Sequence, residues 1–447
     1  MLFRKVDWIM FENKIGVLVP NVMLPPKGAD FEKWAVVACD QFTSQPEYWE
    51  AARAFIGDAP TTLDLFLPEA FLGKEGEAER IATIRKNMRD YMAKGILETK
   101  PQGFVLVKRS VAGNTRWGLV MALDLECYDY NKGATTLIRA TEGTIVERIP
   151  PRLRIREGAP LELPHILVLI DDPNRTVIEP LAAKTDALDK LYDTDLMLDG
   201  GHITGWLVDG KADVEGAIGA METLTDEAAF HAKYGDHAPL LFAMGDGNHS
   251  FATAKANWEK VKATLSPEEQ KDHPARYALV EVENVHDDGI IFEPIHRVLF
   301  GIGGMEGAEK LLGKLKAQNG DAKIVLSDDM PKASGGEVHT IPFCTGKLFG
   351  AFVVDRPAAQ LAVGTLQNAI DALLKETEGA EVDYIHGEAV VRDLAAKPDT
   401  MGFLLPAMQK SELFPTVVFD GALPRKTFSM GEANEKRYYL ECRKIEK

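Results

Sequence analysis

The chain is short of cysteine, of positive charge and of long apolar runs, and each shortage removes a class of protein. Cys39, Cys127, Cys344 and Cys442 are spread through 447 residues with no C-x-x-C among them, which excludes a disulfide framework and a cysteine-built zinc site. They read as reduced thiols of a cytoplasmic protein. Lys and Arg number 51 against 68 Asp and Glu, a formal charge of −17, so an extended surface for nucleic acid is not expected. Asp7, Glu12 and Lys14 interrupt the first sixteen residues, which therefore hold no apolar stretch of the signal-peptide kind. No uncharged apolar run reaches the roughly 18 residues of a membrane span, and the longest candidate, Ile15–Pro26, contains three prolines. Ten histidines occur without an i, i+4 pair, and H-E-x-x-H, G-x-S-x-G and Walker A patterns are missing, as is a G-x-G-x-x-G after a strand.

Apolar residues make up 45% of the chain and are distributed along its whole length, which is the balance of a folded protein and not a disordered one. Short apolar runs at Ala35–Cys39, His165–Ile170 and Leu240–Met244 read as buried strands. Phe104–Lys108 and Trp117–Leu125 flank a Gly113-Asn114 turn and read as a hairpin. Ile81, Ile84, Met88 and Tyr91 fall at helical spacing, and Pro180–Tyr192 reads as a second helix. Hairpins mixed with helices favour a mixed α/β (α+β) chain with a central mixed sheet. A change to Gly-rich turns after Gly301 suggests a region 1–300 and a C-terminal α+β region 301–447.

The clearest local feature follows the Leu240–Met244 run, where Gly245-Asp246-Gly247-Asn248-His249-Ser250 opens into a helix carrying Phe251, Ala254 and Trp258. Glycines let the backbone turn sharply, and the free N–H groups of a new helix form an anion site. Asp246 is a candidate base or magnesium ligand, His249 an acid or base, and Ser250 a cap or phosphate contact. The alternative is an Asp-Gly turn before a capped helix. Arg139, Arg148, Arg152, Arg154 and Arg156 crowd into 18 residues of an acidic chain. They read either as a clamp for phosphate or carboxylate, or as a solvated edge paired with nearby Glu residues such as Glu142. Pro150 and Pro151 argue against a plain helix there. Asp171 and Asp172 end an apolar strand, a place where carboxylates line crevices in α/β sheets and could hold a magnesium ion with water, although a Pro-initiated turn is the simpler account. Asp199-Gly200-Gly201-His202 reads as a small-residue turn.

The Gly245–Ser250 segment resembles the A-D-G-H-H-R motif of domain-of-unknown-function family 1015. Val36-Val37-Ala38-Cys39-Asp40 is similar to that family's V-V-A-P-P-Y-D, and Arg139-Ala140-Thr141-Glu142 falls where the family has a basic residue, then Glu and Thr. Leu167–Pro173 resembles its apolar strand ending in Asp-Pro, Pro294-Ile295-His296-Arg297 its P-T-H-R, and Pro424-Arg425-Lys426-Thr427-Phe428 its P-x-K-S-T-x-F. The motif is in turn similar to the signature of the ParB/sulfiredoxin-like superfamily, which includes free-serine kinases. The resemblance implies a ParB/sulfiredoxin-like core with a nucleotide (ATP, ADP or CTP) and Mg at the loop. Asn248 stands for the motif's first His and Ser250 for its Arg, the natural phosphate ligand, so either another Arg enters the site or the ligand and chemistry differ.

The expectation is a small-molecule kinase or nucleotide hydrolase: a nucleotide-dependent phosphotransferase acting on a small hydroxylated metabolite. Asp246 and His249 would be catalytic, with Asp246 also on the metal. Gly245, Gly247, Asn248, Ser250, Arg139 and Arg148 would hold phosphate. Glu142, Asp171, Asp172, His296, Arg297 and Lys426 are further candidates. The alternative is a non-catalytic protein that binds a nucleotide or anionic metabolite. Neither a nucleic-acid nor a membrane partner is expected.

Overall fold

The computed structural model describes residues 13–131 and 133–447, and they divide into two units. The first runs to Ile291 and takes back Gly431–Lys447; the second is Phe292–Met430. The break therefore lies ahead of the residue 300/301 division expected from composition, and the chain's end rejoins its beginning. Tyr438–Tyr439 pairs with Val36–Val37, and Arg443–Lys444 pairs with Leu161–Glu162. A reading in chain order cannot see such a return.

The first unit is built on a ten-stranded mixed sheet. In chain order its strands are β1 (Val17–Leu18), β2 (Phe104–Val111), β3 (Asn114–Asp124), β4 (Tyr128–Asp129), β5 (Ile138–Arg139), β6 (Leu167–Ile170), β7 (Asp189–Leu196), β8 (Gly201–Val208), β9 (Phe242–Asp246) and β10 (Tyr277–Asn284). They lie in the order β7-β8-β2-β3-β10-β6-β9-β5-β4, with β1 beside β3. The pairs β10/β6, β9/β5 and β5/β4 are parallel; β6/β9 is antiparallel.

The central strands read as unbroken apolar runs because both faces of the sheet are covered. Phe104 and Leu106 enter one core with Val168, Met244 and Val280, while Val105 and Val107 enter the other with Val120, Tyr192 and Leu279. The β2/β3 hairpin turns at Ala112-Gly113, both with positive φ (51° and 81°), as a tight two-residue turn between twisted strands requires.

Two local expectations fail for tertiary reasons. Pro180–Tyr192 is not one helix: Glu179–Ala182 is a single α-helical turn and Thr185–Ala187 a 3₁₀ turn, and from Asp189 the chain is β7, the sheet's edge. Pairing with β8 along its length overrides a weak helical pattern. Conversely, α1 (Ile149–Arg156) is a helix despite Pro150 and Pro151, because both sit in its first turn, where their missing N–H groups have no intrahelical partner to lose. A longer helix, α2 (Asn248–Lys262), follows β9.

The second unit has an antiparallel sheet built from β11 (Glu293–Phe300), β12 (Ala322–Ser327), β13 (Val338–Thr345), β14 (Leu348–Asp355), β15 (Glu381–His386) and β16 (Thr400–Phe403), ordered β12-β14-β13-β16-β11-β15. Helices α3 (Gly304–Asn319) and α4 (Ala362–Leu374) pack on it. No helix of the described residues is long and apolar enough to cross a membrane.

Candidate functional site

Gly245 and Asp246 are the last residues of β9, and the chain then reverses at Gly247. Glycine is required at 247 twice over. Its φ is +79°, and a Cβ there would lie 3.0 Å from the Cα of Ile166. The Gly247 N–H donates to Asp246 Oδ1 at 2.8 Å, which holds the carboxylate at the mouth of the turn. Helix α2 then begins with no side-chain cap. The first N–H groups of a helix have no intrahelical acceptors and carry the positive end of its dipole. The N–H groups of Asn248, His249 and Ser250 belong to this first turn, and the Asn248 Oδ1 beside them is buried without a hydrogen-bond partner among the described residues.

Three distant segments converge on this helix end. His165, just before β6, is 5% exposed; its Nε2 lies 3.3 Å from Ser250 Oγ and 3.5 Å from Asp40 Oδ2. Its Nδ1 is 2.7 Å from the hydroxyl of Tyr439, which also accepts the Cys39 N–H at 3.3 Å. From the same C-terminal segment, Lys436 places its Nζ 3.2 Å from Asp246 Oδ2. Asp40, His165, Asp246 and Lys436 thus form a charge-balanced quartet at an open helix N-terminus.

Burial disfavours the charged form of His165, but Asp40, with Asp246 and Glu69 behind it, overrides burial and lifts the imidazole above its ordinary value. Burial likewise opposes ionisation of Asp40, and His165 outweighs it, so this carboxyl lies well below the usual range. The Cys39 thiol is pushed far upward by burial and by Asp40 and Glu69, which leaves it without nucleophilic character.

The His165–Asp40 pair has a measurable consequence. His165 contributes its share of stability in full below the ordinary imidazole value of 6.5, and loses it as pH climbs through its raised value. Asp40 contributes above the ordinary 3.8 and loses its share as pH falls through its lowered value. The pair therefore acts in full between pH 3.8 and 6.5. The gap in denaturation midpoint between the wild-type protein and His165→Gln is expected to be widest in that window and to narrow above it. A gap that does not vary with pH would mean that His165 is neutral.

The residues anticipated from the sequence separate into groups. Gly245, Asp246, Gly247, Asn248, His249 and Ser250 form the turn itself. The His249 Nε2 accepts the N–H of Ile145 at 3.3 Å, and Thr141 Oγ1 donates to the carbonyl of Met244 at 2.6 Å. The segment holding half-buried Glu142 and exposed Arg148 therefore lies along the turn.

Arg139 does not reach the turn. Its guanidinium is bonded to the carbonyls of Thr136, Ala238 and Pro239, ahead of the start of β9. Other arginines of the run are also engaged: Arg152 with Glu69, Arg154 with Glu77 and Arg156 with Glu162. Asp171 and Asp172 sit at the opposite end of β6, because Leu167 is the residue paired with Asp246. Four residues of strand put Asp171 about 13 Å farther along. There Asp171 meets His286 at 2.7 Å and Lys233 at 2.8 Å, and Asp172 accepts the N–H groups of Thr176 and Val177, as in the plain turn.

His296, Arg297 and Lys426 belong to the second unit. The His296 Nδ1 accepts the Leu405 N–H at 3.2 Å, and burial lowers its pKa to about 4. Arg297, fully buried, donates to the carbonyls of Ile295, Arg425 and Lys426 and to Gln367 Oε1. The two family-like motifs of this unit thus meet in a structural knot built on the Arg297 guanidinium.

Asp40, His165, Lys436 and Tyr439 were not singled out from the sequence. Asp40 ends the V-V-A-C-D run and His165 immediately precedes an apolar strand, but nothing in spacing links positions 40, 165, 246 and 436. As for metal binding at Asp246, no cluster of three metal-ligating side chains includes it among the described residues, and Lys436 already occupies one of its oxygens.

A family model described as a protein of unknown function (DUF1015) matches residues 23–377. No curated protein matches the chain. Among solved structures, it is similar to a conserved hypothetical protein from Pyrococcus furiosus at 11% identity and TM-score 0.34, over 73% of this chain and 95% of that one. It is also similar to a free serine kinase in complex with AMP at 12% identity and TM-score 0.35, over 73% and 91%. A C-terminally truncated SbnI from Staphylococcus aureus is similar at 9% identity and TM-score 0.32, over 72% and 82%. Likenesses this remote carry no functional argument.

Proposed function

The chain belongs to the DUF1015 family of unknown function, and on that footing we propose that it is a nucleotide-dependent phosphotransferase acting on a small hydroxylated metabolite. One observation carries the reading: the uncapped start of α2 opens beside the Asp40–His165–Asp246–Lys436 quartet. Helix N–H groups at Asn248–Ser250 would hold the donor's phosphate, with Lys436 as the displaced cation. Ser250 Oγ, fixed by His165, is placed to add a hydrogen bond. Asp246 would take the proton from the metabolite's hydroxyl as the oxygen–phosphorus bond forms and the bond to the nucleotide breaks. His165, charged, would offset negative charge gathering on the transferring group.

The donor set suits a phosphate better than a metal. A magnesium ion would have Asp246 as its protein carboxylate, with phosphate oxygens and water completing its shell, and would supply charge neutralisation there. Because both Asp246 oxygens are engaged, by Gly247 and Lys436, a nucleotide-binding protein without turnover is the second reading.

Thermal melts of the full chain with AMP, ADP, ATP and CTP, with and without magnesium, test the binding step. A bound nucleotide at a hundredfold excess over its Kd is expected to add about 2.7 kcal/mol. Lys436→Met is expected to weaken binding about tenfold to a hundredfold, since it removes a charge-assisted contact. If no nucleotide shifts the melt, the reading is lost.

A further inference from the structure

Ile145 and Val146 are consecutive branched aliphatic residues, 41% and 57% exposed. Single exposed apolar residues are ordinary, but these two stand at a particular place. They begin a 3₁₀ turn, Val146–Arg148, that is pinned to the start of α2 by the bond from the Ile145 N–H to His249 Nε2 at 3.3 Å. The turn closes through the Arg148 N–H to the Ile145 carbonyl at 3.0 Å and runs straight into α1. That helix is anchored by the Arg152–Glu69 pair, so the turn is held against the site from both ends. Arg148, on the same turn, is exposed and makes no ion pair among the described residues. One short turn therefore offers an apolar pair and a cation beside an uncapped helix end.

We infer that Ile145 and Val146 are specificity-determining residues that pack on the base of the nucleotide, while Arg148 faces its phosphates. This rests on the proposed function and sharpens it, because it names the ligand as a phosphate joined to a flat, weakly polar ring. Inorganic phosphate or a sugar phosphate would use the helix end and Arg148 but leave the aliphatic pair in water. Covering roughly 55 Å² of that apolar surface is equivalent to about a tenfold gain in affinity.

The test is calorimetric titration of the full chain with AMP, ribose 5-phosphate and inorganic phosphate, comparing the wild-type protein with an Ile145→Ser, Val146→Ser double variant. Both positions are exposed, so the variant is expected to fold, which its circular dichroism and melt would verify. The inference requires AMP to bind at least tenfold tighter than ribose 5-phosphate in the wild-type protein. It also requires the double variant to lose that margin while its affinity for inorganic phosphate is unchanged. Equal binding of AMP and ribose 5-phosphate, or a margin that survives the double substitution, overturns the base contact and leaves the phosphate site standing. Failure of all three ligands to bind overturns the contact and the proposed function together.

Discussion

Replacing Arg437 by Met is expected to lower the stability of the protein by about 3–5 kcal/mol, the cost of removing one partner from a buried ion pair. Arg437 is 5% exposed. Its Nε lies 3.0 Å from Glu281 Oε2 and its Nη2 2.8 Å from Glu441 Oε2, and Nη1 donates to the Tyr438 carbonyl at 3.1 Å. Burial works against its charge, and Glu441 and Glu281 more than offset that, so its pKa is raised. Met keeps most of the volume and removes the charge, leaving two carboxylates in an interior where neither finds water. Among the described residues, the Glu441 carboxylate then keeps the Tyr192 hydroxyl as its side-chain partner. The effect would be read as a fall in the urea midpoint at unchanged slope. A double variant that also carries Glu441→Gln should recover part of the loss. A change under about 1 kcal/mol, the scale of an exposed pair, would show that water reaches the cluster. The prediction bears on function because the residue before Arg437 is Lys436, so loosening this anchor should also loosen the cation at Asp246.

Under the proposed function, Asp246→Asn is expected to lower phosphotransfer about a hundredfold to ten-thousandfold, the usual share of a positioned general base. Asn preserves the shape of the side chain, and its amide oxygen can still accept the Gly247 N–H. What it loses is the ability to take a proton and the charge that Lys436 faces at 3.2 Å. The loss should therefore appear in kcat with KM little changed, the pattern of an interaction made in the transition state. Nucleotide binding, followed by thermal shift, should persist. A variant with full turnover would reduce Asp246 to a cap for its own turn. A variant that neither binds nor turns over, but still folds, would make it a ligand-binding group.

Gly245–Ser250 was legible as a strand, a turn and a helix start because each step depends on near neighbours along the chain. An apolar run, a residue that tolerates positive φ and an amphipathic segment follow one another there. The β2/β3 hairpin and the doubly buried central strands were legible for the same reason. The arginine-rich run was visible as an excess of charge, but its meaning was not. Arg139 binds backbone carbonyls, Arg152, Arg154 and Arg156 are paired with Glu69, Glu77 and Glu162, and Arg148 stands at the turn over α2.

Pro150 and Pro151 looked like obstacles to a helix and instead begin one, since a proline's effect depends on whether its N–H was needed. The quartet around the helix end could not be read at all. Its members stand at positions 40, 165, 246 and 436, and the last arrives only because Gly431–Lys447 returns to the first unit. By itself, then, the amino-acid sequence determined the local geometry of the turn, through backbone sterics and periodicity that act over a few residues. Only the tertiary structure decided which charges face it, because a Coulombic partner is chosen by distance in space and by burial, and neither is encoded in separation along the chain.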